Sequence, residues 1–271
     1  MSHISAQNGP ALIYISRNSG RSAFVNKILA RVKDEISGKI LIKANLVSHE
    51  PYPTTTHPEM VEALLKNLQG ENVAVGDGHA VDVRRFNIKN SAIYKVCEKN
   101  KVPFINFYEN EMQTLTSPRE YELTFSSIPS QYDYIISLPV LKIHIECAMT
   151  GALKNAFGYL AKQDRIHMHM GKKNIHDGIA ELNTLVKPDL TIMDAVVTLL
   201  NANEVRHGGI KQDLGYLLAG KDPVALDAYG FTLLKKADPT WKPKSPRDIP
   251  HIRKAIELGV GNPEYQLLEI P

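Results

Sequence analysis

The sequence predicts an α/β protein with a largely parallel, twisted sheet and helices on both faces. Short apolar runs alternate with longer stretches of helical spacing along the whole chain. This alternation is typical of parallel strands joined by crossover helices. Hydrophobic residues make up 43% of the 271 residues and charged residues 23%, a balance that allows a buried core in a folded chain.

The strands are predicted from short runs rich in branched and aromatic residues, each bounded by polar or turn-forming residues. In chain order they lie at residues 11–16, 39–47, 72–75, 103–108, 132–138, 190–193, 214–219 and 266–270. The stretch 109–131 is polar and irregular, with at most a short strand near 121–125. We expect one domain over residues 1–271, in which 109–131 is the candidate insertion.

The helices are predicted from apolar residues three and four positions apart, as in Phe24, Ile28 and Val32. In chain order they lie at residues 22–36, 59–68, 91–100, 147–160, 177–186, 223–236 and 251–258, and 162–175 is predicted as a loop. Thr56 followed by Glu59 matches a capping box, which predicts Thr56 as the N-cap of its helix. Asp222 before a proline predicts a second cap.

Composition excludes several classes of function. The net charge of +3 is too small to indicate nucleic acid, and the aromatic residues, 7% of the chain, do not interleave with a basic stripe. The longest apolar runs are too short to cross a membrane. Residues 1–10 are polar and lack the apolar core of a signal peptide, so we expect a cytoplasmic protein. The mild positive charge suits a small anionic ligand.

Cysteine usage limits the redox chemistry that this chain can carry alone. Cys97 and Cys147 are the two cysteines, and no CxxC pair occurs. The chain alone therefore cannot hold a four-cysteine iron–sulfur cluster. Both cysteines are typical of reduced thiols in an intracellular protein. Cys147 precedes a predicted helix, where a structural thiol and an activated thiol are both open.

Ligands of open α/β sheets bind beyond the carboxyl ends of the strands, so the residues that follow each strand matter most. Lys43 and Asn45 lie on one face of the second strand, and Thr55 and His57 come just before a helix start. A lysine among apolar residues must reach solvent or meet an anion, and a helix start attracts anions. A solvated strand end followed by a helix cap is the alternative.

Two further segments contain residue types that are unfavourable to place in a fold without a binding or structural role. Gly76-Asp77-Gly78-His79 follows the third strand and permits close backbone approach, although a plain turn explains it equally well. The richest segment holds five candidates that we assign to a binding or catalytic site. They are Lys142, His144, Thr150, Lys154 and Asn155. Thr150 and Lys154 share a helical face, and Lys154 interrupts small, closely packing residues, so it either meets a partner or reaches solvent.

Histidines and acids supply the remaining candidates. Three histidines, His167, His169 and His176, follow within ten positions and could hold a divalent metal, although exposed loop histidines are common. Asp194 ends a strand, where a general base or a metal ligand could stand. Asp227 falls on an apolar helical stripe, and we expect a lysine or arginine of the site to pair with it.

The segments KANLV, TTTHPE, GDG, LPVLKIH, MTGALKNAFG, IMDA and AGKDPVALDA together resemble the domain of unknown function 362 family over about residues 38–235. The resemblance implies an α/β domain without a settled activity. Many members carry ferredoxin-type cysteine motifs, from which this chain departs, so a separate ferredoxin-like partner stays open. The matching motif positions are Lys43, Asn45, Thr55, His57, Lys142, His144, Thr150, Lys154, Asn155, Asp194, Asp222 and Asp227.

Two hypotheses of function follow. The first is an enzyme that acts on a small metabolite bearing phosphate or carboxylate. Lys43, Lys142 and Lys154 would hold the anion, with Asn45, Thr55, His57, Thr150 and Asn155 around it. His144 would act as acid or base, with Lys154 and Asp194 as further catalytic groups. The alternative is a non-catalytic binding or maturation partner in an iron–sulfur or redox assembly. Binding of nucleic acid is not expected.

Overall fold

An eight-stranded sheet forms the centre of the computed structural model, which describes residues 9–18, 20–83 and 86–271. Two further pairs of strands lie outside this sheet. The strands are β1 Ala11–Arg17, β2 Lys39–Lys43, β3 Asn72–Asp77, β4 Phe104–Asn106, β5 Met112–Thr116, β6 Glu122–Ser126, β7 Tyr134–Ser137, β8 Lys142–His144, β9 Ala148–Thr150, β10 Leu190–Leu200, β11 Ile210–Gly220 and β12 Tyr265–Glu269.

The strand order of the main sheet is β12-β1-β11-β10-β7-β2-β3-β4. β11 is antiparallel to both of its neighbours, because a hairpin joins it to β10. The other neighbouring pairs are parallel. The predicted α/β class with a largely parallel sheet is therefore confirmed.

Helices cover both faces of this sheet. They are α1 Arg21–Val32, α2 Pro58–Asn67, α3 Ala92–Lys99, α4 Ala152–Asn155, α5 Lys162–His169, α6 Ile175–Leu185, α7 Pro223–Ala237 and α8 Pro250–Glu257. α1, α2 and α3 contribute to one core, and α4 to α8 contribute to the other. In β2, Ile40 and Ile42 point into the first core while Leu41 points into the second, as the two-residue period of a strand requires.

The predicted helix 147–160 is wrong, and its failure shapes the site. The chain forms β9, the single turn α4 and a 3-10 turn over Ala156–Tyr159 instead. Ala148 takes a positive φ of 65°, and a Cβ atom at Gly151 would overlap the Asp227 carboxylate. Helical spacing alone could not reveal this close approach.

Other boundaries differ for local reasons. The predicted cap Thr56 is wrong, since His57 caps α2 and its Nδ1 accepts a hydrogen bond from the backbone of Glu59 at 3.2 Å. Asp222 caps α7, as predicted. The stretch 162–175 contains α5 rather than a loop, and β10 and β11 each reach eleven residues because they continue as a hairpin beyond the sheet.

The predicted irregular stretch 109–131 holds the antiparallel pair of β5 and β6, which forms a separate two-stranded sheet. Of the residues that the structure describes, no helix combines the length and apolar character needed to span a membrane. Residues 1–8, on which much of the signal-peptide expectation depends, lie outside the described residues.

Candidate functional site

A cavity of about 390 Å³ opens beyond the carboxyl ends of β2 and β3. The β8–β9 hairpin, α4 and α5 complete its walls. The predicted site residues that line it are Lys43, Asn45, Lys142, His144, Thr150, Lys154, Asn155 and His169. Those that lie elsewhere are Thr55, His57, Asp194, His167 and His176.

Strand register explains why distant segments meet here. Lys43 is the last residue of β2 and lies beside Gly76 of β3 and Ser137 of β7. In the hairpin that follows, Lys142 of β8 pairs with Thr150 of β9. Lys142 and His144 are two residues apart in β8, so their side chains share one face. The ends of β2 and β3 and the antiparallel β8–β9 hairpin therefore bring these groups together.

The first lysine of the cavity, Lys43, is fully neutralised. Its Nζ donates to Asp77 Oδ1 at 2.6 Å and to the carbonyl of Ala44 at 2.7 Å, and only 1% of its surface is exposed. Asp77 also accepts from the backbone of Leu46 and of Gly78. Burial lowers the pKa of Lys43 and raises that of Asp77, while their mutual charge opposes both shifts.

Glycine makes this buried pair compatible with the cavity wall. A Cβ atom at Gly158 would overlap Asp77 Oδ1 and crowd Lys43 Nζ. A Cβ atom at Gly78 would likewise overlap the carbonyl of Gly158. Gly78 and Gly158 thus allow two loops to pass close to the ion pair of Lys43 and Asp77. Their role here is structural, although glycines in such segments are also typical of ligand-binding loops.

Lys142 is as buried as Lys43, with 1% of its surface exposed, but among the described residues it has no carboxylate partner. Its Nζ donates to two neutral oxygens, the carbonyl of Thr54 and, at 3.3 Å, Asn45 Oδ1. Burial lowers the pKa of Lys142 to about 7, with the charge of Glu204 opposing this shift and that of Lys154 adding to it. Near neutral pH this amine therefore populates both its charged and its neutral form.

Two amide side chains connect the lysines. Asn45 Nδ2 donates to Asn155 Oδ1 at 3.0 Å, and Asn155 Nδ2 donates to Ser137 Oγ at 2.8 Å. Asn45 Oδ1 in turn accepts from Lys142. All these groups are buried, so their mutual hydrogen bonds fix the amide orientations and hold Lys142 in place.

Two further cations face the cavity and form no ion pair with an acid in the part of the chain that the structure describes. Lys154 Nζ lies 4.2 Å from the ring centre of Phe157, and Arg165 donates to the carbonyl of Gly78 at 3.0 Å and to the Tyr108 hydroxyl. Arg165 is only 7% exposed, and its Nε has no hydrogen-bond partner within the described residues. Burial lowers the pKa of Lys154. We call Lys142, Lys154 and Arg165 the cation cluster.

The carboxylates that line the cavity are engaged elsewhere. Asp77 pairs with Lys43 and Glu146 with His169, while Asp82 and Glu204 both accept from Arg206. Within the part of the chain that the structure describes, no ion pair joins a carboxylate to a member of the cation cluster. The cluster is therefore a concentration of positive charge at a cavity, which favours an anion.

His144 is held as a neutral ring with a defined proton position. Its Nδ1 accepts hydrogen bonds from the backbone of Glu146 at 3.1 Å and of Cys147 at 3.2 Å. Burial lowers the pKa of His144 well below its ordinary value, and the charges of Lys154 and Lys142 lower it further. A neutral ring whose Nδ1 accepts must carry its proton on Nε2, so His144 is a hydrogen-bond donor near neutral pH.

The three histidines predicted as metal ligands do not form a common site. His169 lines the cavity and pairs with Glu146, His167 lies away from it, and His176 stacks on His251 with 6.0 Å between ring centres. They separate because 162–175 contains α5, which turns His167 and His169 to different directions. The described residues contain one grouping able to hold a metal, namely Asp82, Glu204 and His207.

Asp194, predicted as a catalytic group, lies in a separate and fully paired cluster. Its carboxylate accepts from Arg21 Nε at 2.6 Å, from the Tyr52 hydroxyl at 2.6 Å and from the backbone of Val196 at 3.0 Å. The Arg21 guanidinium stacks on the Tyr52 ring at 4.6 Å. We call Arg21, Tyr52 and Asp194 the Asp194 cluster. Every group in it has a partner, as expected of a structural contact.

Three of the residues singled out from the sequence have structural roles next to the site, namely Thr55, His57 and Asp227. The Thr55 hydroxyl donates to the carbonyl of Glu50 at 3.1 Å, which fixes the loop whose Thr54 carbonyl binds Lys142. His57 caps α2. Asp227 accepts from the backbone of Ala152 and of Leu153, and so caps α4 instead of forming the expected ion pair. Burial raises the pKa of Asp227 to about 7.

Sequence reasoning did not assign roles to several lining residues. Arg165 was visible only as a cation beside the histidines, and the helical period of α5 would have placed it on an inner face with Met168. Asp82, Glu204 and His207 come from two loops with no periodic pattern. Their approach depends on tertiary structure, so the sequence carried no signal for it.

The chain is similar to proteins of known sequence and structure. A family model described as Domain of unknown function (DUF362) matches residues 40–232. The thylakoid-associated protein sll1697 of Synechocystis sp. is 29% identical over 213 residues, which are 76% of this chain and 65% of that protein.

One solved structure with a TM-score above 0.5 shows the same kind of fold. The lactate racemase apoprotein of Thermoanaerobacterium thermosaccharolyticum aligns with a TM-score of 0.51 and 13% identity, across 83% of this chain and 57% of that chain. A crystal structure from Thermotoga maritima aligns with a TM-score of 0.46 and 13% identity, across 82% and 58%. The chain spans less than two thirds of the length of each of these three proteins. Because the family model covers more than half of its residues, the chain belongs to the domain of unknown function 362 family.

Proposed function

We propose that this protein is an enzyme that binds, in the cavity, a small metabolite bearing phosphate or carboxylate. It removes a proton from this metabolite and can return one to it. The observation that carries the proposal is the cation cluster, in which Lys142, Lys154 and Arg165 surround one cavity without a carboxylate partner among the described residues. A buried cation without a counter-ion costs free energy, and an anionic ligand removes that cost.

Lys142 is the proposed general base. A neutral amine has two N–H groups and one lone pair, and the two N–H groups are used by Thr54 and Asn45. The lone pair is then left for the substrate. With its pKa near 7, the neutral form is well populated at neutral pH, which suits a group that must take up a proton.

His144 is the proposed donor to the oxygen on which negative charge develops. Its Nδ1 is occupied by backbone N–H groups, so Nε2–H is available. A neutral imidazole can donate a hydrogen bond to an enolate-like oxygen without first losing or gaining a proton. Lys154 and Arg165 would hold the anionic group of the substrate, and the adjacent positive charge would also stabilise the transition state.

The fold likeness gives this proposal a substrate class to begin with. The solved structure with a TM-score of 0.51 is named a lactate racemase apoprotein, and lactate is a small carboxylate. At 13% identity the likeness concerns the fold alone, so lactate itself is not assigned to this chain. Short 2-hydroxy and 2-oxo acids, and their phosphorylated forms, are the compounds to test.

The experiment is hydrogen exchange in D₂O, followed by proton NMR, with a panel of 2-hydroxy and 2-oxo acids and their phosphorylated forms. We expect deuterium to enter at the carbon next to the carboxylate or carbonyl of at least one compound, because Lys142 removes that proton. The Lys142→Met variant should lose the exchange. Lys66→Met is the matched control, since Lys66 is exposed and does not line the cavity.

Binding is measured in parallel by thermal shift, because a ligand that binds the folded state raises Tm by mass action. A compound that raises Tm but shows no hydrogen exchange would indicate a binding protein and contradict the proposed catalysis. A panel in which no anion raises Tm would contradict the whole proposal. In that case the redox-assembly alternative would gain support from recovery of a stoichiometric ferredoxin-like partner.

A further inference from the structure

The mouth of the cavity carries an exposed apolar rim. Ile145, Ile166 and Met170 all line the cavity, yet their exposed fractions are 64%, 42% and 64%. They are among the few large apolar side chains of the described residues that are exposed to this degree. Single exposed apolar residues are ordinary, but three at one opening are not scattered.

Two different elements build the rim. Ile145 lies in the turn between β8 and β9, directly after His144. Ile166 and Met170 are four residues apart at the end of α5, where the backbone N–H of Met170 still bonds to the carbonyl of Ile166 at 2.9 Å. Their side chains therefore share one face of this turn. The rim and the cation cluster line the same cavity, as does Phe157, whose ring contacts Lys154.

The cavity thus offers two environments to one ligand. Lys142, Lys154 and Arg165 supply positive charge in the interior, and the rim supplies apolar surface at the mouth. An anion without an apolar part would leave the rim exposed to water. An apolar compound without a charge would leave the cations without a counter-ion. A molecule that carries both groups satisfies both environments.

We propose that the ligand of this cavity is a free amphipathic metabolite, in which a phosphate or carboxylate head is attached to an aliphatic or aromatic tail that contacts Ile145, Ile166 and Met170. This proposal rests on the proposed function, because it names the substrate class of the same site. It commits to a single soluble molecule rather than to a lipid within a membrane.

The test is calorimetric titration of the full chain with methyl, butyl, hexyl and octyl phosphate, each below its micelle concentration. Burial of one methylene contributes about 0.8 kcal/mol, so affinity should rise by up to about fourfold per methylene that reaches the rim. Hexyltrimethylammonium has the same tail with the opposite charge, and we expect it not to bind.

The double variant Ile145→Ser/Met170→Ser removes most of the rim. We expect it to flatten the dependence of affinity on chain length. Leu115→Ser is the matched control, because Leu115 is similarly exposed on β5 and does not line the cavity. This control should keep the chain-length dependence of the wild type.

The outcomes separate the two proposals. If methyl and octyl phosphate bind with equal affinity, the amphipathic ligand is wrong and the anion site stands. If none of the series binds, the proposed function fails as well. If affinity still rises with chain length in Ile145→Ser/Met170→Ser, the tail binds elsewhere and the proposed role of the rim is wrong. The last measurement is sedimentation of the protein with vesicles of phosphatidylcholine and phosphatidic acid. If the wild type sediments with these vesicles and Ile145→Ser/Met170→Ser does not, the ligand is a membrane lipid and the proposal of a free metabolite is wrong.

Discussion

Two charged regions of this protein resolve their charges in opposite ways. In the Asp194 cluster, the carboxylate of Asp194 meets Arg21, Tyr52 and a backbone N–H, so each charge has its partner. In the cation cluster, Lys142 and Arg165 are almost as deeply buried, yet among the described residues they donate to neutral oxygens and to no carboxylate.

This difference separates structural charge from functional charge. Burial alone does not distinguish them, since Lys43 and Lys142 are equally buried in the same cavity. What differs is the partner, because Lys43 has Asp77 and Lys142 has no acid within the described residues. A charge that is left without a counter-ion at a cavity indicates where a ligand binds.

The largest predicted effect is the loss of stability when the ion pair of the Asp194 cluster is removed. Arg21→Met leaves the buried Asp194 carboxylate without its cation, so we expect the free energy of unfolding to fall by about 3–5 kcal/mol. Arg165→Met leaves no carboxylate behind and should cost at least about 2 kcal/mol less than Arg21→Met. Urea unfolding at pH 7 measures both. Equal losses in the two variants would remove the distinction between the regions.

The second effect is a pH dependence that belongs to Lys142. Its pKa is about 7 in the folded chain, against 10.5 for an ordinary lysine, so the unfolded chain binds more protons between these values. Stability then rises with pH in this window, by up to about 1.4 kcal/mol per pH unit. The penalty for the buried charge is fully present below pH 7.

Comparison with Lys142→Met isolates this contribution. The unfolding free energy of the wild type, measured relative to that of the variant, should increase from pH 7 to pH 9. Lys66→Met serves as the control, because the exposed Lys66 should leave the pH dependence of the wild type intact. Parallel curves for wild type and Lys142→Met would mean that Lys142 keeps an ordinary pKa.

The third effect concerns binding. Lys154 contributes one of the cations without an acid, so Lys154→Met should weaken the binding of inorganic phosphate by about tenfold, or ~1.4 kcal/mol. Calorimetric titration at low ionic strength measures this, with Lys66→Met as the matched exposed control. An unchanged affinity in Lys154→Met would exclude Lys154 from the anion site.

The smallest effect is spectroscopic. Because Nδ1 of His144 accepts two backbone hydrogen bonds, the ring should stay neutral with its proton on Nε2 as the pH falls to 5. Two-dimensional ¹H–¹⁵N correlation of the imidazole nitrogens distinguishes the two tautomers and the charged ring. A His144 that titrates near its ordinary pKa would restore it as an acid or base and remove the donor role.

The sequence predicted the framework of this protein better than its site. Alternating strands and helices gave the parallel sheet, because apolar periodicity is a local property that the chain carries within each element. It also indicated the segments from which Lys142, Lys154 and Asn155 reach the cavity, because these polar residues interrupt runs of small and apolar residues.

What the sequence could not show was which charge has a partner. The patterns around Lys43 and Lys142 look equivalent, and only the register of β2 beside β3 places Asp77 against Lys43. The sequence places Asp194 at the end of a strand, like a catalytic acid, yet β10 continues to Leu200 and Arg21 of a distant helix pairs with Asp194. These pairings depend on tertiary contacts, as does the break of helix 147–160 by Asp227 and Gly151.

The most direct test of the central claim is proton uptake on anion binding. Sulfate keeps its charge across the neutral range, so titration with sulfate at pH 8, in buffers of different ionisation enthalpy, counts the protons taken up by the protein. Sulfate beside Lys142 resembles the state in which this base has taken up the substrate proton and the substrate carries additional negative charge, so sulfate should return the amine to its charged form. We predict one saturable site, with uptake that approaches one proton and disappears in Lys142→Met. Saturable binding without proton uptake, or the absence of any saturable site, would contradict the account.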